Sequence, residues 1–232
     1  MASPAATEKI TYRFHFPDAR VHTYEVELSA ETGLLVNSLS SAPAPWTELE
    51  NKKCSHCPLN KSEFQSCPVA KNLSTVVADF KDERSFSNVS IEVVTAQRTY
   101  RKDTSMQDGL FGLFGLMMAT SACPYFEFLR PMARFHLPFS NLNETTVRTV
   151  SFYLMSQYFV AKKSGSPDFE LARLATHYAN LEIVNRGMVE RIRSFAAADA
   201  DANSVLILDS LARLLSSRLS NGLPSIEAMF KA

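Results

Sequence analysis

The residues with the clearest capacity for chemistry are the four cysteines, which fall as Cys54-x-x-Cys57-Pro58, then Cys67-Pro68, then Cys123-Pro124. Three of the four thiols are followed directly by proline. Proline suits the first position of a helix, because its fixed φ already matches and its missing N–H would have been an orphan there. Each Cys-Pro is therefore expected to set a thiol on a helix N-cap. Partial positive charge and free N–H groups at that end favour thiolate, the form that binds metal or reacts.

Two thiolates at the spacing of Cys54 and Cys57 can grip one metal from a tight turn, and Cys67 is near enough in sequence to join them. Cys123 has to be delivered by the fold. The expected metal ligands are Cys54, Cys57, Cys67 and Cys123. Four sulfurs suit tetrahedral zinc or a 4Fe-4S cluster. Zinc is the first reading, and it would be structural, joining two halves of the fold, since four protein sulfurs leave no open position. The alternative is an iron–sulfur sensor of redox state or gas, in which helix N–H groups also bond the cluster sulfides. Ferredoxin-type loops share the Cys-Pro habit, although their spacing differs. The plain reading of Cys123 is a buried core thiol, because free cysteine is among the most buried residue types.

A second constellation surrounds His136 in the run Arg134-Phe-His-Leu-Pro138. With Arg130 and Arg134 it would form a pocket in which His136 acts as acid or base on an anionic small molecule. The competing reading is a hydrogen-bonded core histidine. His56, between Cys54 and Cys57, is expected to point outward. Glu144 and Arg148 stand at the i,i+4 spacing of an intrahelical ion pair. His177, Tyr178, Asn185, Arg186, Glu190 and Arg191 read mostly as a solvated helical face. A Gly-rich phosphate loop, G-x-S-x-G, H-E-x-x-H and Glu-x-x-His are all absent from the sequence, so no familiar reaction class is signalled.

The elements that must position these groups divide the chain. Ile10, Tyr12, Phe14 and Phe16 alternate with Thr11, Arg13 and His15, which predicts a strand with one wet face. A Pro17-to-Arg20 turn leads to a second alternating run, Thr23 to Leu28, and Gly33 to Val36 adds a short third strand. Ser38 to Pro45 reads as a connector. One helical turn is expected after Cys57-Pro58 and a full helix after Cys67-Pro68, with Val69, Leu73, Val76, Val77 and Phe80 on one stripe. Asn88 to Tyr100 returns to β character. From Ser105 onward helices are expected: one capped by Ser105 and marked by Gly109, Gly112 and Gly115, where another backbone would approach; one from Cys123-Pro124; one capped by Asn143 with an apolar stripe of Val147, Val150, Leu154 and Tyr158; one from Ser166-Pro167-Asp168 past Ile192; and one from Asn203 to Ser220. The fold class is α+β, a small antiparallel sheet in the N-terminal half and a helical bundle in the C-terminal half. A single domain over 10–232 follows a flexible 1–9, with a division into 10–100 and 105–232 as the other possibility.

With 232 residues, 46% of them hydrophobic, the chain can bury a core without staples. Lys and Arg number 24 and so do Asp and Glu, leaving no basic excess to attract nucleic acid. The stretch Gly109 to Ala119 is too short for a bilayer, which needs about 20 apolar residues, so no membrane partner is expected. Met1 to Glu8 lacks an apolar signal core, and a C-x-x-C in a reducing compartment favours metal or redox chemistry. The expected setting is cytoplasmic, with a protein partner or a second copy as possible company.

The loop Cys54-Ser-His-Cys-Pro-Leu59, Cys67-Pro68, the run Thr120-Ser-Ala-Cys-Pro124 and the run from Leu129 to Phe139 together resemble an uncharacterised group of bacterial proteins of this length. The resemblance covers nearly the whole chain. It implies a bacterial cytosolic protein and carries no activity or substrate.

Overall fold

Alternation in the first thirty residues produces the hairpin it predicts, with β1 (Thr7–His15) and β2 (Val21–Ser29) antiparallel and Ile10 opposite Val26. The computed structural model describes residues 6–37, 44–195 and 199–230. Of the segment expected to be flexible, residues 1–5 lie outside the described residues, while Thr7 to Lys9 already belong to β1. Most of the expected connector, residues 38–43, also lies outside them. Strands β3 (Asn88–Val94) and β4 (Thr99–Ser105) complete one sheet of order β2-β1-β3-β4, antiparallel throughout. Gly33 to Val36 is not a strand. It makes one isolated bridge, Leu35 to Leu28, and Gly33 turns the chain at a φ of +70°.

One face of the sheet is apolar and covered. Tyr12, Phe14, Val26, Leu28, Ile91 and Val93 are fully buried there. Helix α1 (Pro68–Phe80) lays its predicted stripe on this face, and Phe80 packs among Phe14, Phe16, His22 and Tyr24. The opposite face is wet, with the ion pair between Arg13 and Glu92 on adjacent strands.

Helix α2 (Met106–Ala119) joins the sheet to the helical half. Ser105 caps it as expected, its side chain accepting the Asp108 N–H. The three glycines admit side chains rather than a backbone. A Cβ on Gly109 would lie 2.8 Å from Ile91 Cδ1, one on Gly112 3.0 Å from the Tyr12 hydroxyl, and one on Gly115 3.4 Å from Leu208 Cδ2. Sheet residues thus meet the first two, and a late helix meets the third.

A 3-10 turn over Pro124–Leu129 and the short α3 (Arg130–Arg134) lead to α4 (Leu142–Lys162), then α5 (Ala172–Arg193), α6 (Ala200–Ser220) and α7 (Pro224–Glu227). The cap of α4 is Asn141, not Asn143. Asn141 and Glu144 form a reciprocal capping box, which occupies the Glu144 carboxylate. Arg148 instead donates to the carbonyls of Met132 and Phe135. The face that α4 buries is Thr145, Thr146, Thr149, Tyr153 and Gln157, while Tyr158 from the expected apolar stripe is half exposed. Helix α5 begins after Leu171, later than the Ser166-Pro167 signal, and Asp168 still serves it by accepting the N–H groups of Ala172 and Arg173.

Candidate functional site

The segment carrying Cys54 and Cys57 is a loop tied down at both ends. Cys67 N–H donates to the Thr47 carbonyl, Leu49 N–H to the Gln65 carbonyl, and Glu48 bridges Ser66. Inside it, Cys57 N–H donates to the Cys54 carbonyl at 3.0 Å, closing a tight turn over the C-x-x-C. The helical turn expected after Cys57-Pro58 comes two residues later and does not start at the proline: Glu63 and Phe64 N–H donate to the Asn60 carbonyl at 3.1 and 2.9 Å, one isolated turn that is not continued into a helix. Cys67 is the N-cap of α1 and Cys123 the N-cap of the 3-10 turn, each with proline next. Two of the three Cys-Pro steps are therefore helix starts.

Other elements draw this loop against the helical half. Gly187 on α5 leaves room for Cys54, whose Sγ would lie 3.1 Å from a Cβ placed there. His56 does not point outward. Its ring stacks on Tyr125, two residues past Cys123, its Nε2 lies 3.2 Å from the Asn180 carbonyl of α5, and the Tyr125 hydroxyl donates to its backbone carbonyl.

All four cysteines are free thiols, and Cys123 is buried. Burial pushes the Cys54 thiol up to about 11, with Cys67 and Cys57 adding to the rise and Arg191 opposing it. Burial likewise pushes Cys123 up to about 12, with a backbone hydrogen bond to Tyr125 opposing and Cys67, Cys54 and Cys57 adding. The expected acidification by helix ends does not appear at these two thiols. Loss of water outweighs a turn of only six residues at Cys123, and Cys54 caps no helix. Cys57 and Cys67 thus bear on Cys54, and Cys54, Cys57 and Cys67 on Cys123, but the four thiols are not drawn into one cluster. Among the described residues, no group of three or more His, Cys, Asp or Glu stands close enough to hold a metal ion.

Sequence reasoning missed Arg191. Its side chain is 1% exposed. Nη1 donates to the carbonyls of Trp46 and Glu48, and Nη2 to that of Leu49, all in the strip that precedes the cysteine loop. No carboxylate forms an ion pair with it among the described residues. A single charged residue on a helix rich in Arg and Glu gives no sequence signal of burial.

The second constellation is brought together only in part. His136 Nε2 pairs with the buried Tyr12 hydroxyl, and burial first, then Arg148, lowers the imidazole to about 3. Such a histidine is neutral at physiological pH and holds no proton to give as imidazolium. Arg134 donates to the carbonyls of Ala30 and Ser29, and Arg130 to that of Ser121 and to Glu127. Arg134 and His136 border one open groove, which Arg130 does not reach.

The chain belongs to the family described as Domain of unknown function (DUF6901), whose sequence model matches residues 10–231. No curated protein and no solved structure matches the chain. Among the described residues, no single helix is long and apolar enough to cross a membrane.

Proposed function

We propose that Cys54, Cys57, Cys67 and Cys123 hold a 4Fe-4S cluster and that the protein senses redox state or a gas through it. The observation that carries this reading is Arg191, a fully buried cation whose charge acts on Cys54 and which has no carboxylate in an ion pair with it among the described residues. A buried charge without a counter-ion costs several kcal/mol. An anionic centre built on the four cysteines would supply that counter-ion.

Proline after Cys57, Cys67 and Cys123 is a habit shared with ferredoxin-type cluster loops, and the N–H groups at the starts of α1 and the 3-10 turn could bond cluster sulfides. Bound there, the cluster would supply one-electron chemistry and sensitivity to oxidants. The protein's own part is to fix the thiols: α5 supports Cys54 at Gly187, the starts of α1 and the 3-10 turn present Cys67 and Cys123, and the His56–Tyr125 stack holds the loop closed. Loss of the centre would free that loop and alter a contact with another protein.

The test is anaerobic purification with iron, sulfide and zinc analysis and a visible spectrum, on wild type and Cys123→Ser. Brown protein with about four irons per chain, bleaching in air and lost in the variant, is the expected result. One colourless zinc per chain would replace the sensor with a structural site. Colourless protein after anaerobic reconstitution with iron and sulfide would remove the cluster.

A further inference from the structure

A chamber of about 130 Å³ lies between α2, α5 and α6 and the turn after Cys123. Its walls are mostly apolar, with Phe111, Leu116, Met132, Leu181, Leu211 and Leu215 among them. The polar groups that border it are engaged elsewhere, with one exception. Tyr178 hydroxyl pairs with Thr149 at 2.8 Å, Ser140 with Thr145 at 3.1 Å, His136 Nε2 with Tyr12, and Arg148 with two backbone carbonyls. The exception is Asn185 on α5, which is 3% exposed and lines the chamber. Its carboxamide makes no hydrogen bond among the described residues, yet its atoms are not among the fully enclosed polar atoms that lack partners. The amide therefore faces the open space.

Such a group is costly in an apolar cavity unless something answers it. Water is a poor answer, because the lining is mostly apolar and its other polar groups are already paired, which leaves few of the two to four partners that an ordered water needs. An apolar cavity of about 150 Å³ accommodates benzene, so this chamber suits a ring-sized molecule. We propose that it is a binding site for a small, neutral, largely apolar molecule with one hydrogen-bonding group, which Asn185 anchors. The site is separate from the cysteines, and the proposal stands whether or not they hold a cluster.

Phenol and toluene are the probes, matched in size and differing in the hydroxyl. Their affinities are measured by calorimetry on the full chain, for wild type, Asn185→Leu and Ala212→Leu, the last placing a larger side chain into the chamber wall. Wild type should bind phenol more tightly than toluene by about fivefold or more, the worth of one hydrogen bond. Asn185→Leu should erase or reverse that preference, and Ala212→Leu should weaken both probes. No binding of phenol to wild type at millimolar concentration overturns the proposal. So does an unchanged phenol-to-toluene ratio in Asn185→Leu. If Asn185→Leu does not fold, Ala212→Leu decides: undiminished binding of phenol places it outside the chamber. Hexanoate that outcompetes phenol and depends on Arg148 would likewise overturn the assignment, by moving the anchor to the cation.

Discussion

The imidazole of His56 lies flat on the ring of Tyr125, with centroids 4.0 Å apart and planes 11° from parallel. This stack joins the Cys54–Cys57 turn to the segment that begins at Cys123, residues far apart in the chain. Tyr125 also donates its hydroxyl to the His56 carbonyl. Tyr125→Phe should cost about 1 kcal/mol, the worth of that hydrogen bond. Tyr125→Leu should cost more, because it also removes a stacked pair worth about 0.5–1.5 kcal/mol. Limited proteolysis should then show faster cleavage within residues 51–64 in the leucine variant and little change in α1. Equal protection of the loop in wild type and Tyr125→Leu would mean that its two tied ends alone hold it.

Arg191 organises the strip before the same loop. Replacing it with methionine keeps most of the volume but leaves the carbonyls of Trp46, Glu48 and Leu49 without their donor. Each buried unsatisfied group costs about 1–3 kcal/mol, partly offset because a buried charge is also removed. A net loss of about 2–4 kcal/mol in the metal-free chain is expected, read by denaturant unfolding. If the cysteines hold an anionic centre, Arg191→Met should also reduce its occupancy, whereas Arg191→Lys should retain part of it. Full occupancy in the methionine variant would show that the cation answers only the carbonyls.

Stability should fall between pH 6.5 and 8 because of Asp201. This carboxyl is 1% exposed, neither oxygen has a hydrogen-bond partner among the described residues, and burial first, then Asp79, pushes it up to about 8 from an ordinary 3.8. A raised acid is protonated in the fold while the unfolded chain ionises, so its contribution is complete below pH 3.8 and is lost as pH climbs to about 8. His136 works the other way. Lowered to about 3 from an ordinary 6.5, it contributes fully above pH 6.5 and loses its contribution as pH falls toward 3. The two slopes oppose each other over most of the acid range. Above pH 6.5 only Asp201 remains, and its loss amounts to about 2 kcal/mol by pH 8. Asp201→Asn should flatten that limb and, by leaving the slope of His136 unopposed, steepen the rise in stability between pH 3.8 and 6.5, in urea midpoints taken across the range. A variant with an undiminished alkaline slope would exclude Asp201 as its source.

The parts of this fold that were legible in the sequence are those where one face is buried and the other wet. Strand β1, strand β2 and helix α1 show their periods directly, because Tyr12, Phe14, Val26 and Leu73 must be apolar to face the same core. Strand β4 was missed since it is an edge strand whose Arg101 to Asp103 all face water, leaving no alternation to read. Helix α4 misled in the opposite way. Its buried threonines satisfy their hydroxyls on the helix backbone, as Thr145 and Thr146 do with Asn141 and Leu142, so a polar face could pack inward. The four cysteines could be named from spacing, but their surroundings could not. The roles of Arg191, Asn185 and the His56 stack depend on contacts across more than fifty positions, which local pattern does not record.

The glycines of α2 give the sharpest contrast between sequence and structure, since identical residues at equal spacing meet different neighbours. In a helix interior, glycine to alanine gains about 1 kcal/mol from backbone propensity. At Gly115 the new methyl would rest 3.4 Å from Leu208 Cδ2, an ordinary contact, so Gly115→Ala should be neutral or stabilising by up to about 1 kcal/mol. At Gly109 it would come within 2.8 Å and 3.1 Å of the Ile91 side chain and 3.3 Å of Phe14, both fully buried with nowhere to withdraw. Overpacking of this kind costs about 1–3 kcal/mol, which exceeds the propensity gain. Gly109→Ala should therefore be the less stable of the two by about 1–3 kcal/mol, measured as a difference in denaturant midpoint. Equal stabilities would mean that Ile91 re-packs without strain and that α2 can stand farther from the sheet.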